Sequence, residues 1–235
     1  MIFTSYQEHL FDQAQGFLVI DGVNGAGKST LLARLAAYLT EAAVPFVQTR
    51  EPGATNLGKQ IRPLLLANEE KLSTLAELFL FAADRAEHVQ KLILPALRER
   101  KLVLSDRYYY STFAFQGFGR EIDLELINSI TSIAIAGVHP DLVLLLDLDP
   151  AEGLRRTKKR NSANGAADVD NFEKEELAFH TRLRRGYLEV AKQSAEPMVL
   201  LDGSMTPEEV WNQAKQFVDP WISAVCSRWN TVNKA

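Results

Sequence analysis

The stretch Gly22-Val23-Asn24-Gly25-Ala26-Gly27-Lys28-Ser29 is the feature that most narrows what this chain can fold into. Its spacing is G-x-x-x-x-G-K-[ST]. In that pattern glycines let backbone N–H groups wrap phosphate oxygens, the lysine reaches the terminal phosphates, and the serine hydroxyl faces a magnesium ion. The loop works only between a strand and the N-terminus of a helix, where the helix dipole favours anions. Both are predicted here: residues 17–20 are an apolar run, and Leu31, Leu32, Leu35, Ala36 and Leu39 recur at helical spacing over residues 28–39.

Apolar runs return at residues 46–48, 102–105, 142–146 and 198–201, each pair separated by segments of helical period. That alternation predicts a parallel sheet covered by helices. Thr74 with Glu77 three residues on reads as a capping box, opening a helix that passes Phe81 and Arg85 toward Pro95, where a kink or stop is expected. Thr206-Pro207-Glu208-Glu209 predicts another helix, running to about Val218. The Gly/Ala/Asn/Ser-rich residues 161–167 read as a mobile loop.

Composition excludes several function classes. A net charge of −4 over 235 residues gives no cationic field for nucleic acid. The apolar runs are far short of the roughly 20 residues that span a bilayer. Cys226 is the only cysteine, so no internal disulfide forms and a reducing, cytoplasmic setting is expected. His9, His88, His139 and His180 are scattered and show no metal-ligand spacing with it. One domain is expected for this length, preceded by an N-terminal extension over residues 1–16 that lacks the basic start and apolar stretch of a signal.

Four further groups carry possible chemistry. Asp106 and Arg107 follow the apolar run at 102–105, at the strand end where open parallel sheets bind ligands. An aspartate there can hold magnesium or its water shell, and an arginine can fork onto a phosphate. Arg50, in Thr49-Arg50-Glu51-Pro52-Gly53, is a second phosphate fork, or else a solvated side chain in a Pro-Gly turn. Arg155, Arg156, Lys158, Lys159 and Arg160 are either a solvated helix face or a closing segment that brings cations over a migrating phosphoryl group. Phe81 and Arg85, four apart, either address one planar ligand together or belong to the core.

In order along the chain these pieces, with LFLFAADRAEH, SDRYYYSTFAFQG, LLLDLDP and the basic segment ending in Arg182-Leu183-Arg184-Arg185-Gly186-Tyr187, resemble the thymidylate kinase family from about Phe17 to Val218. The resemblance implies a three-layer α/β P-loop NTPase fold: a five-stranded parallel sheet flanked by helices, with a helical lid at about residues 150–172 of a kinase domain spanning 17–219 and a tail at 220–235. It implies transfer of the γ-phosphoryl group of ATP to dTMP with Mg²⁺. ATP would be held by Gly22, Val23, Asn24, Gly25, Ala26, Gly27, Lys28, Ser29 and Thr30, and the metal by Ser29 and Asp106. The dTMP contacts it implies are Asp21, Arg50, Phe81, Arg85, Arg107, Ser111, Thr112, Phe115 and Gln116, with Phe81 stacking on thymine, Arg85 at its edge and Phe115 crowding the ribose 2′ position. A homodimer is implied as well, with the apolar helix at residues 74–97 as a candidate surface.

The family divides by whether its catalytic arginine sits in the phosphate loop or in the lid. No arginine lies in the loop here, so the lid is expected to supply it, through Arg156 and Arg160, alongside Lys28 and Arg107. Asn24 stands where the family commonly has an acid, and Asn171 beside Asp170 departs from the usual Asp-Arg. Two other readings stay open: a kinase for another nucleotide or a deoxynucleoside, and a catalytically weakened nucleotide-binding relative.

Overall fold

The structure, a computed structural model, describes residues 10–67, 70–163 and 171–232. The five apolar runs become five parallel strands, β1 (Phe17–Gly22), β2 (Phe46–Arg50), β3 (Leu102–Asp106), β4 (Leu142–Asp147) and β5 (Met198–Asp202), in the order β2-β3-β1-β4-β5. β1 is buried throughout and β4 nearly so, as befits strands covered on both faces. Each strand runs one or two residues past its apolar run, because the parallel ladder continues: Arg50 and Ile20 both register with Asp106, and Asp147 with Asp202. The added residues are polar or glycine, and they gather at the carboxyl edge of the sheet.

Helices cover both faces: α1 (Lys28–Glu41), α2 (Asn56–Leu66), α3 (Thr74–His88), α4 (Leu94–Arg98), α5 (Tyr109–Thr112), α6 (Leu124–Ile135), α7 (Pro150–Ala163), α8 (Leu177–Gln193) and α9 (Pro207–Val232). α1 begins at Gly27, in a left-handed conformation with φ 100°, and has neither a side-chain cap nor an acid in its first turn. Its leading N–H groups are thus left for an anion.

Four local expectations are corrected. The cap of α3 is Ser73, whose hydroxyl accepts from Ala76 N, and not Thr74; Glu77 points inward, accepting from Gln116 Nε2 at 2.8 Å and forming an ion pair with Arg120. Pro95 does not end the helix. The chain widens into a π-helical turn over Val89–Ile93, which makes room for the proline ring, and α4 continues to Arg98. α9 does not stop near Val218 but passes Pro220 to Val232. The reason is Trp221, which is buried and donates Nε1–H to Asp141 Oδ2 at 3.1 Å. That same carboxylate accepts from the N–H groups of Gly16 and Phe17, and Phe11 and Ala14 are buried too, so residues beyond both expected domain limits pack into the one core. Finally, residues 161–163 of the expected loop are the last residues of α7; its remaining residues, and Asp170, lie outside the described residues.

Candidate active site

The phosphate loop closes on itself. Lys28 Nζ donates to Gly22 O at 3.0 Å and to Val23 O at 2.8 Å. Burial, with Arg107 nearby, lowers its pKa to about 7, and Arg160 also contributes to that fall. The loop glycines are structurally required: Gly22 has φ 134°, and a Cβ there would lie 2.2 Å from Leu146 O. Gly25 touches the first turns of α7. A Cβ on Gly25 would meet Gly153 O at 2.3 Å, and one on Gly153 would meet Asn24 O at 2.4 Å. Val23 and Ala26 are buried beneath the loop, while Ser29 and Thr30 are exposed at the helix start.

Beside the loop lies a cavity of about 230 Å³. Asn24, Ser29, Arg50, Phe81, Asp106, Arg107, Ser111, Thr112, Phe115 and Gln116 all line it, so ten of the residues singled out in sequence converge at the carboxyl edge of the sheet. Two buried oxygens in its wall, Asp106 Oδ1 and Thr112 Oγ1, have no hydrogen-bond partner. Buried polar atoms of that kind mark places where a ligand completes the bonding.

Arg107 is the most constrained member. It sits at φ 72°, uncommon for a residue with a side chain, held there because Ser105 Oγ donates to its carbonyl and its N–H donates to Ile20 O. Its guanidinium donates to Gly22 O, Ser111 Oγ, Tyr187 OH and Asn24 Oδ1, the last at 2.6 Å, and lies 5.2 Å from the centre of the Phe115 ring. Behind it Asp21, fully buried, gathers Arg107, Ser111, Tyr187 and its neighbour's N–H.

Arg50 is fixed from behind. His88 Nε2 lies 2.7 Å from Thr49 Oγ1 and its Nδ1 lies 2.9 Å from Glu51 Oε1, so one imidazole on α3 grips the residues on both sides of Arg50. Arg85 Nε donates to Glu51 Oε2, and Asp84 Oδ1 accepts from Gly53 N. Burial and then Glu51 raise the Asp84 pKa to about 6.

Two expected acceptor contacts therefore stand behind the cavity wall: Asp21 and Arg85 do not line it and act on residues that do. Arg85 is buried against Glu51 and over Tyr108, so the helical pair splits, with only Phe81 facing the cavity. In α7, the expected lid, Arg156 donates to Glu152 and Gly203 O, Arg155 pairs with Glu152, and Arg160 pairs with Glu173. Arg160 also contributes to the lowered pKa of Lys28.

Sequence reasoning missed Phe172, Arg62 and the part played by Tyr187. Phe172 lines the cavity, its ring 5.1 Å from that of Phe115 and 6.1 Å from that of Phe81. Arg62, on α2, lines it as well and donates to Pro52 O at 2.5 Å. Neither carries a motif; Tyr187 closes the quoted basic segment, which was a usable signal.

Among the described residues no group of three His, Cys, Asp or Glu side chains could hold a metal ion. Ser29 and Asp106 face one cavity, and Asp106 has an uncommitted oxygen. That sparse donor set suits magnesium, which takes one or two protein ligands plus substrate phosphates and water.

A family model described as thymidylate kinase matches residues 20–214. The chain is 44% identical over 203 residues to a thymidylate kinase of Carboxydothermus hydrogenoformans, covering 86% of this chain and 96% of the relative. It is 43% identical over 204 residues to one of Oleidesulfovibrio alaskensis, with the same coverage. A crystal structure of thymidylate kinase from Ehrlichia chaffeensis superposes with a TM-score of 0.70 at 30% identity, covering 88% of this chain and 99% of that one.

Proposed function

The chain belongs to the thymidylate kinase family and phosphorylates dTMP with ATP, and from that premise we propose how its residues divide the work. The carrying observation is the convergence of Arg50, Arg107, Phe81 and Phe115 on one cavity that opens beside the phosphate loop. Arg50 and Arg107 grip the dTMP phosphate as paired guanidinium forks. Phe81, Phe172 and Phe115 enclose the base and sugar, and Ser111, Thr112 and Gln116 complete the base pocket. Asp21 and Arg85 are positioning residues for Arg107 and for the Arg50 loop.

The loop amides and Lys28 hold the donor phosphates of ATP at the start of α1. In-line transfer breaks the bond between the β-bridging oxygen and the γ-phosphorus as a dTMP phosphate oxygen attacks, leaving ADP and dTDP. The protein's share is positioning and charge neutralisation. Ser29 and Asp106 would hold magnesium, which neutralises donor phosphate charge. Arg160 closes over the migrating group, and Arg156 bridges the base of the lid to the loop at Gly203.

A coupled assay offering each nucleoside monophosphate tests the reading. dTMP is expected to be the best acceptor; a flat profile, or one led by dCMP, would sink it. Deoxynucleosides are expected to fail, since they leave Arg50 and Arg107 with no phosphate to bind.

A homodimer completes the proposal. α3 packs between α2 and α6, and these helices expose Leu57, Leu64, Leu75, Phe79, Leu126 and Ile133, the last 81% exposed. Ile133→Glu is expected to yield monomers in sedimentation, and an unchanged dimer would place the interface elsewhere. No helix among the described residues is long and apolar enough to cross a membrane, and a free Cys226 fits a reducing cytoplasm.

A further inference from the structure

Residues 171–175, which lead into α8, are held from two directions. On the acceptor side, Asn171 N donates to Leu66 O at 3.0 Å, and both Leu66 and Phe172 line the cavity beside the phosphate loop. The Phe172 ring is buried, edge-on to Phe115, with the Arg120 guanidinium 5.3 Å from its centre. Arg120 pairs in turn with Glu175 and with Glu77, which accepts from the cavity residue Gln116. On the donor side stands α7. One Glu173 oxygen accepts from Arg160 Nη2 at 2.9 Å, and the other accepts from Asn161 Nδ2 at 2.9 Å.

The Glu173–Arg160 pair differs from an ordinary surface contact. The Arg160 side chain is 56% exposed, but that of Glu173 is only 8% exposed. Burying a carboxylate is costly unless a cation and hydrogen bonds compensate it, so the place of Arg160 is tied to that of Glu173. Glu173 takes the guanidinium by Nη2, and Nε lies 3.4 Å from Asn161 Oδ1. Nη1 has no partner among the described residues, so its two N–H groups remain for an anion such as a phosphate. Arg160 contributes to the lowered pKa of Lys28, so this cation is felt at the phosphate loop. Phe172 and Glu173 are chain neighbours, and what steadies the ring steadies the carboxylate beside it.

We infer that Glu173 is a positioning residue for the phosphoryl transfer, orienting Arg160 and, through Phe172, making that orientation depend on what fills the acceptor cavity. The inference rests on the roles given above to Arg160 and to the acceptor cavity. A nucleotide packed against Phe172 steadies residues 171–175, and Glu173 then holds Arg160 with Nη1 presented to the donor phosphates. Acceptor and donor nucleotides therefore bind with positive coupling.

Two measurements on the full-length protein test it. In a double-mutant cycle, Glu173→Gln is expected to lower kcat about tenfold while the KM for dTMP moves by less than about twofold. In an Arg160→Ala background the same change is expected to have less than about a twofold further effect, whereas a residue that merely supported the fold would give additive losses. By calorimetry, saturating dTMP is expected to tighten a non-hydrolysable ATP analogue about fivefold in the parent and less than about twofold in Glu173→Gln. A parental kcat in Glu173→Gln, additive losses with Arg160→Ala, or the same coupling in parent and variant would each overturn the inference. The premise fails differently: Arg160→Ala with a parental kcat would remove Arg160 from the reaction, and the inference with it.

Discussion

Arg107 Nη2 donates to Asn24 Oδ1 at 2.6 Å, so the arginine that follows β3 is tied to the middle of the phosphate loop. Asn24→Ala removes that acceptor, and a hydrogen bond to a charged group is worth about 1.5–3 kcal/mol. A loss of about tenfold or more in kcat/KM for dTMP is expected. Asn24→Asp keeps the acceptor and adds charge; it is expected to fold as the parent does, with the same melting temperature, and to change kcat. Kinetics identical to the parent in both variants would remove the position from the mechanism.

Lys28 reports nucleotide binding through a proton. Its pKa is lowered to about 7, chiefly by burial, so at about pH 8.5 most of the free protein carries it neutral. Between about 7 and the ordinary lysine value of 10.5 the unfolded chain binds the extra proton, so this group makes stability rise with pH across that window. Phosphates placed against Lys28 restore its charge. Calorimetric titration of ATP at about pH 8.5 in two buffers of different ionisation enthalpy should show uptake of nearly one proton per site, and none in Lys28→Met.

Asp84 gives the opposite slope. Its pKa is raised from 3.8 to about 6, first by burial and then by Glu51. Between those values the folded protein holds a proton that the unfolded chain has lost, so stability falls as pH rises from about 4 to about 6. Asn at this position can still accept from Gly53 N. Urea unfolding of Asp84→Asn should lack that fall and show higher stability than the parent at neutral pH; parallel curves for the two proteins contradict the shift.

The two lid arginines should separate in kinetics. Arg160 is close enough to act on Lys28, whereas Arg156 is held by Glu152 and Gly203 O. Arg160→Ala is expected to lower kcat by about three powers of ten, the order seen for an arginine placed over a migrating phosphoryl group. Arg156→Ala should act mainly on the KM for ATP. The reverse ranking would reassign the catalytic cation.

The sheet was legible because burial on both faces leaves an unmistakable mark in β1, β3 and β4. The site residues that line the cavity were legible for a related reason: Arg50, Asp106 and Arg107 stand where such strands end. Burial behind that lining left no local trace. Asp21 and Arg85 look like ligand contacts in sequence, and what removes them from the cavity is contact with Arg107 and Glu51, far away along the chain. Phe172 follows a stretch without periodicity, and only the fold brings it to Phe115. The length of α9 was hidden because Pro220 is a stop signal by itself, and the Trp221–Asp141 bond that overrides it spans 80 positions.

Gly25 and Gly153 place the phosphate loop and α7 backbone to backbone, with no room for even a methyl group between them. A tilt of α7 would therefore pivot about its near end. Arg160 is seven residues farther along, about 10 Å out on the helical arm, and a tilt of about 10° about that contact sweeps it through about 2 Å. In the lid role proposed for α7, a pivot with no spacer would turn small rotations into reach for Arg160, and a bulkier residue at either glycine would wedge the contact open from the inside.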